Sequence, residues 1–155
     1  MTAPPPHLLF VCLGNICRSP LMQGLAETRW QPRAATVRID SAGLGDWHAG
    51  EPPDPRAIAV AREHGVDIAG QRARRVCAED FLRFDLILCA DRSVLEAMRR
   101  RAPRGGAAEC ALFLDWTGVQ AAGEVPDPYT GGAREFAQVF ALIDRGARAL
   151  AERLR

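Results

Sequence analysis

The run Cys12-Leu13-Gly14-Asn15-Ile16-Cys17-Arg18-Ser19-Pro20 directly follows four apolar residues, 8–11. Five residues separate the Cys12 thiol from the Arg18 guanidinium. That is enough chain to curl the backbone so that its N–H groups point inward and bind an anion. Arg18 adds a planar fork that holds two phosphate oxygens at once. The run therefore predicts a phosphate-binding loop with its own nucleophile, placed between a buried strand and a helix.

The residue types inside the run suit a tight loop that ends in a helix. Gly14 and Asn15 are residues that tolerate positive φ, so we expect the loop to turn at them. Ser19 and Pro20 are typical of an N-cap followed by a first helical residue. We therefore predict a helix from 20 to about 30, with the positive end of its dipole facing the loop.

The same loop indicates nucleophilic chemistry at phosphorus. The helix field, Arg18 and the loop amides favour the thiolate form of Cys12. This thiolate would attack phosphorus and form phosphocysteine, and the Ser19 hydroxyl is placed to hydrogen-bond the sulfur as it departs. A Walker A loop is excluded, because no Gly-Lys-Ser/Thr follows and the chain contains no lysine.

Short apolar runs alternate with segments of helical periodicity along the chain, which is the pattern of a parallel sheet covered by helices. Asp54 before Pro55, and Asp91 ahead of Ser93, are residue types that open helices. The predicted strands and helices are, in order, strands 8–12, 36–40, 84–90 and 110–114, and helices 20–30, 55–64, 91–101 and 133–153.

Two long connections, 41–53 and 115–132, interrupt this regular alternation. They hold Trp47, His48, Asp127 and Tyr129. Long loops in a small domain are usually functional, and an open parallel sheet collects its ligand site at the carboxyl ends of its strands. Both connections follow strands, so we expect them to converge on the phosphate loop.

Composition narrows the partners and the compartment. The chain has 155 residues, a net charge of +1, 48% hydrophobic residues and 25% charged residues, which fits one soluble domain over 1–155 with neither nucleic acid nor membrane as a partner. No segment resembles a transmembrane helix or a signal peptide. Five cysteines, an odd number, fit a reducing compartment. We expect a cytoplasmic protein.

The run from Val11 to Pro20 resembles the active-site motif of the low-molecular-weight protein tyrosine phosphatases. The resemblance covers essentially the whole chain and implies an α/β fold of three layers, with a four-stranded parallel sheet in the order 2-1-3-4 and helices on both faces. Further segments that resemble the family, in family order, are Ser41-Ala42-Gly43, Trp47-His48, Gly50-Glu51-Pro52, Asp54-Pro55-Arg56, Arg72-Ala73-Arg74, Phe84 to Leu88 with Asp91, and Val125 to Tyr129.

The resemblance implies a role for each part of the site. Cys12 would be the nucleophile, Arg18 the phosphate-binding and catalytic cation, and Asp127 the general acid that protonates the leaving phenolate. Trp47 and Tyr129 would form the walls of a deep slot that admits aryl phosphates. The phosphate-binding residues would be Leu13, Gly14, Asn15, Ile16, Cys17, Arg18 and Ser19; the loop-supporting residues would be Asn15, Ser19 and Ser41; Ile16 would also line the slot. Phosphocysteine chemistry needs neither a metal nor an organic cofactor, so we expect none.

Two related enzymes and one non-catalytic role remain as alternatives. A thiol-dependent arsenate reductase would use two further cysteines; Cys89 stands where the first can lie, but Glu96 stands where the second is expected. A protein-arginine phosphatase is disfavoured because the corresponding loop of such enzymes carries a small Thr at the position of Ile16. A phosphotyrosine-binding or redox-sensing module is disfavoured because the nucleophile and Asp127 are both present.

The sequence also predicts regulation and partners. Cys17 is a candidate to form a reversible disulfide with oxidised Cys12. We expect the partner to be a phosphotyrosine-containing protein, with a bacterial tyrosine kinase as one candidate, and the enzyme to be a monomer or weak dimer. Gln71 and Thr130 depart from the family pattern, which often has His and a second Tyr at these positions.

Overall fold

The computed structural model describes residues 3–155 and contains a four-stranded sheet in the order β2-β1-β3-β4, with every neighbouring pair parallel. The predicted fold class and strand order are confirmed. The strands are β1 Leu8–Cys12, β2 Ile39–Gly43, β3 Leu86–Cys89 and β4 Glu109–Leu112. The helices are α1 Arg18–Arg29, α2 Pro55–Glu63, α3 Asp80–Arg83, α4 Arg92–Arg101, α5 Phe113–Trp116 and α6 Ala133–Arg153, with a 3-10 turn over Arg33–Thr36.

Helices cover both faces of the sheet, which explains why β1 is an unbroken apolar run. Successive side chains of a strand point to opposite faces. Leu8, Phe10 and Cys12 pack in the cluster with α1, α2 and α6, whereas Leu9 and Val11 pack with α4 on the other face. All five residues of β1 are buried, as expected for a strand at the centre of a covered parallel sheet.

The predicted bounds of β2 are wrong. The prediction was 36–40, but the strand runs from Ile39 to Gly43, and Leu8 pairs with Ile39 while Cys12 pairs with Gly43. The predicted strand began too early because it included the apolar Val37, which precedes the observed strand. Small residues at the carboxyl end are required by close packing, since a Cβ on Gly43 would lie 3.0 Å from backbone atoms of the phosphate loop.

The predicted bounds of β1, 8–12, are confirmed, whereas β3 and β4 are shorter than predicted. β4 ends at Leu112 rather than 114, because Phe113–Trp116 turns into the short helix α5. β3 spans Leu86–Cys89 rather than 84–90. The predicted caps of α2 and α4 are confirmed: Asp54 accepts a hydrogen bond from the Arg56 backbone N–H, and Asp91 accepts one from Val94. None of the helices in residues 3–155 is long and apolar enough to cross a bilayer.

Candidate active site

The phosphate loop encloses the sulfur of Cys12 at the carboxyl end of β1. Cys12 is 3% exposed. The backbone N–H of Asn15 donates to its Sγ at 3.3 Å, and the Ser19 hydroxyl lies 3.0 Å from Sγ. The Asn15 N–H donates to the sulfur, and the Ser19 hydroxyl is close enough to donate to a negatively charged sulfur as well.

The predicted cap of α1 is wrong. The helix begins at Arg18 rather than Pro20, and its N-cap position is Cys17 rather than Ser19. The Ser19 hydroxyl does not cap the helix, because it lies between the Cys12 sulfur and the Asn15 amide, which donates to it at 2.8 Å. The N-terminus of α1 still adjoins the loop, so its dipole favours an anion there.

Asn15 supplies the turn and joins the loop to the protein behind it. Its φ is +59°, whereas Gly14 does not have positive φ, so that half of the prediction is wrong. The Asn15 amide donates to the hydroxyls of Ser19 (2.8 Å) and Ser41 (3.0 Å), and its oxygen accepts from the Arg74 backbone N–H (3.0 Å). The structure thus brings together the three predicted support residues and adds Arg74, whose contribution comes from its backbone.

Replacing Asn15 separates its two contributions. We expect Asn15→Ala to lower the free energy of unfolding by about 2–4 kcal/mol, because three side-chain hydrogen bonds disappear and alanine disfavours positive φ. Asn15→Gly loses the same bonds without the backbone cost, so it should be about 1 kcal/mol more stable than the alanine variant. Urea denaturation measures both values. Equal stability of the two variants would contradict the backbone contribution.

Two groups outside the phosphate loop fix the orientation of Arg18. Its Nη1 donates to the Asp91 carboxylate at 2.7 Å and to the Val125 carbonyl at 3.0 Å, and the side chain is 4% exposed. Burial alone would raise the pKa of Asp91, but hydrogen bonds, with that from Arg18 the strongest, hold this pKa below its ordinary value. Asp91 was expected at a helix start and in a segment that resembles the family, but its contact with Arg18 was not predicted, since nothing local signals that pairing.

A cavity of about 210 Å³ opens above the sulfur. Both long connections reach it, as predicted. Trp47 and Tyr129 are 67% and 49% exposed and lie at its mouth. The Asp127 carboxylate is 3.7 Å from Nη2 of Arg18. The lining residues are Cys12, Leu13, Gly14, Ile16, Cys17, Arg18, Trp47, His48, Asp127 and Tyr129.

The three predicted loop-supporting residues lie outside the cavity, whereas His48 lines it. Asn15, Ser19 and Ser41 lie behind the loop and do not line the cavity. His48, which the sequence analysis left without a role, lines it and places Nδ1 2.6 Å from Glu51. Its position after Trp47 in a long connection was the available signal.

The remaining cysteines differ sharply in their surroundings. All five cysteines are free in the described chain. Cys17 lines the cavity with Cys12, but burial, followed by the nearby Asp54 carboxylate, raises the pKa of its thiol, so it is protonated at neutral pH. Capture of oxidised Cys12 by Cys17 stays a prediction. Cys89 is fully buried and packs on the face of the sheet opposite Cys12, where it is badly placed to resolve an adduct on Cys12.

Comparison with known proteins identifies the family. The sequence model of the family described as low molecular weight phosphotyrosine protein phosphatase matches residues 7–155. The chain belongs to this family. A low molecular weight phosphotyrosine protein phosphatase of Sus scrofa is 36% identical over 153 residues, covering 96% of this chain and 95% of the relative.

Bacterial members of the family show the same extent of similarity. The Escherichia coli K12 low molecular weight protein-tyrosine-phosphatase Wzb is 37% identical, over 96% of this chain and 95% of the relative. The solved structure of Vibrio vulnificus Wzb in complex with benzylphosphonate superposes with a TM-score of 0.84 at 31% identity, covering 96% of this chain and 98% of that one. The predictions of family, fold and phosphatase activity are confirmed.

Gln71 forms a hydrogen bond next to the phosphate loop. Its Nε2 donates to the Pro20 carbonyl at 3.1 Å, so it contacts the first turn of α1. Its Oε1 is buried and has no hydrogen-bond partner among residues 3–155. The amide therefore makes one hydrogen bond to the segment that follows the loop and carries no charge.

Proposed function

We propose that this phosphatase hydrolyses phosphotyrosine in proteins through a phosphocysteine on Cys12, with Arg18 and Asp127 as the other catalytic residues. The observation that carries the proposal is one narrow cavity lined by all three side chains. A thiol nucleophile, a phosphate-binding cation and a proton donor are the complete set that this chemistry needs.

The first step forms a sulfur–phosphorus bond and breaks the ester bond. Arg18 and the inward N–H groups of the loop hold the equatorial oxygens of the phosphoryl group, and Cys12 attacks in line with the leaving oxygen. Phenolate has a high proton affinity, with a pKa of about 10 for tyrosine. Asp127 donates a proton to the ester oxygen as the bond breaks, so tyrosine leaves as a neutral phenol.

The second step returns the enzyme to its starting state. Asp127, now ionised, accepts a proton from a water molecule that attacks phosphorus, and the sulfur–phosphorus bond breaks to release phosphate. The departing sulfur regains its negative charge. The Ser19 hydroxyl, 3.0 Å from Sγ, stabilises that charge.

The shape of the cavity supports selectivity for aryl esters. Cys12 is almost fully buried at the floor, while Trp47 and Tyr129 lie at the mouth. A phosphorylated serine is too short to bring phosphorus to the sulfur, whereas a phenyl ring reaches it and contacts the aromatic walls. The Vibrio vulnificus relative binds benzylphosphonate, in which a methylene replaces the ester oxygen of phenyl phosphate.

A comparison of phosphopeptides tests this function. We expect a phosphotyrosine peptide to be hydrolysed with kcat/KM at least about 100-fold above the matched phosphoserine and phosphoarginine peptides, because only the aryl ester fits the slot. Phosphate release measures all three. Faster hydrolysis of the phosphoarginine peptide would favour the arginine phosphatase alternative, and sustained arsenite formation from arsenate with thioredoxin would favour the reductase.

A further inference from the structure

Arg56 connects the phosphate loop with the segment 127–131, although it does not line the cavity. It lies in the first turn of α2, and its guanidinium reaches the segment 127–131 that carries Asp127. Nη1 donates to the Gly131 carbonyl at 2.9 Å, and Nη2 donates to the Tyr129 carbonyl at 3.0 Å. Among the hydrogen bonds of residues 3–155, these are the two that reach segment 127–131 from outside it.

The other side of the same guanidinium is fixed to Asp54. Nε donates to Oδ1 at 3.0 Å and Nη2 donates to Oδ2 at 2.9 Å, which is a bidentate pair. These hydrogen bonds from Arg56 hold the pKa of Asp54 below its ordinary value. Asp54 in turn donates its backbone N–H to the Ile16 carbonyl at 2.8 Å. A continuous chain of contacts therefore runs from the phosphate loop through Asp54 and Arg56 to the segment with Asp127.

Aromatic contacts complete the arrangement around Arg56. Its guanidinium carbon lies 4.5 Å from the ring centroid of Phe136 and 5.7 Å from that of Tyr129. Phe136 is a buried residue of α6, so it offers a fixed surface. The segment's internal contacts include a hydrogen bond from the Tyr129 N–H to the Asp127 carboxylate at 3.1 Å. Holding the Tyr129 backbone therefore also orients the Asp127 carboxyl group.

We propose that Arg56 is a positioning residue for general-acid catalysis, which holds the Tyr129 backbone and through it orients the Asp127 carboxyl group. This inference rests on the proposed role of Asp127. A residue that acts through the proton donor should affect the cleavage rate most for substrates with the most basic leaving groups, since these depend most on receiving a proton. Cleavage of phenyl phosphate, with its basic leaving group, should depend on Arg56, whereas cleavage of p-nitrophenyl phosphate, with its far less basic leaving group, should depend on it little.

The test compares kcat/KM for these two substrates, because kcat/KM reports the steps up to departure of the phenol. We expect Arg56→Met to lower kcat/KM for phenyl phosphate by about 10- to 100-fold and that for p-nitrophenyl phosphate by less than about threefold. Methionine keeps apolar contact with the rings. Arg56→Lys, which keeps the charge but not the fork, should show the same selective loss to a smaller degree. Arg62→Met, an exposed arginine of the same helix, is the matched control.

A double variant separates positioning from general stabilisation. In the Asp127→Asn background we expect Arg56→Met to cause no further loss with phenyl phosphate, since the proton donor it positions is absent. Inhibition by inorganic phosphate, which reports the phosphate loop, should keep its constant within about twofold in Arg56→Met. If that variant does not fold, Arg56→Lys decides by the same comparison.

The possible outcomes distinguish a failure of the Arg56 proposal from a failure of the role proposed for Asp127. If Asp127→Asn lowers phenyl phosphate cleavage while the Arg56 variants lower both substrates equally, or if the losses multiply in the double variant, Arg56 is not a positioning residue and the proposed function stands. If Asp127→Asn leaves phenyl phosphate cleavage unchanged, the assignment of the acid is wrong and the inference falls with it.

Discussion

Cys12→Ser should abolish phosphatase activity while leaving the phosphate loop assembled. We expect kcat with p-nitrophenyl phosphate to fall by at least about 10⁴-fold, because a serine hydroxyl at this position lacks the thiolate's nucleophilicity and no general base adjoins it. The contacts of the sulfur, with the Ser19 hydroxyl and the Asn15 N–H, are ones that an oxygen also makes. The loop should therefore keep its shape.

Binding distinguishes loss of the nucleophile from loss of the site. Isothermal titration with a phosphotyrosine peptide should give Cys12→Ser an affinity within about tenfold of the wild-type affinity for a non-hydrolysable analogue, because Arg18 and the loop amides are unchanged. Cys77→Ser, at an exposed cysteine that does not line the cavity, should keep full activity. Turnover by Cys12→Ser above about one part in a hundred would show that another group attacks phosphorus.

The parts of the site that the sequence predicted well are contiguous in the chain. Cys12 and Arg18 lie in one short loop, so their spacing alone fixes how they meet. The turn at Asn15 was also predictable from the local sequence, because Asn is one of the few residues that tolerate positive φ. The placement of Asp127, in contrast, followed from the family resemblance, since an isolated Asp-Pro pair is typical of an ordinary turn.

The parts that the sequence did not predict depend on tertiary contacts. Ser19 has the residue type of an N-cap, but a buried hydroxyl between Cys12 and Asn15 forms hydrogen bonds there instead. The contact of Asp91 with Arg18 and the bonds from Arg56 to the segment 127–131 join residues far apart in the chain. Local propensity carries no information about such pairs, and only the assembled sheet edge brings them together.

Tertiary contacts also explain why β2 lies later in the chain than predicted. Its carboxyl end, Ser41 to Gly43, is too polar and too small to predict a strand from hydrophobicity, yet it is buried. Pairing with β1 places it beside the phosphate loop, where Ser41 accepts a hydrogen bond from Asn15 and Gly43 leaves room for the loop backbone. Composition here follows the needs of the site rather than those of the sheet.

Asp127→Ala should slow the enzyme most where the leaving group is most basic. General-acid catalysis contributes about 10²- to 10⁴-fold, so we expect kcat/KM for a phosphotyrosine peptide to fall within that range. In the wild type, kcat should decline as pH rises, because the proposed mechanism needs a protonated Asp127 in the enzyme–substrate complex. The pH profile of the alanine variant should lose this decline, since no proton donor remains to ionise.

A matched variant separates the proton of Asp127 from the packing of its side chain. The Asp127 carboxylate lies 3.7 Å from Nη2 of Arg18, so truncation to alanine also changes the surroundings of Arg18. Asp127→Asn keeps the side chain's shape and removes only the proton, which makes it the matched control for packing. Equal activity of Asp127→Asn and wild type at acidic pH would contradict the acid role.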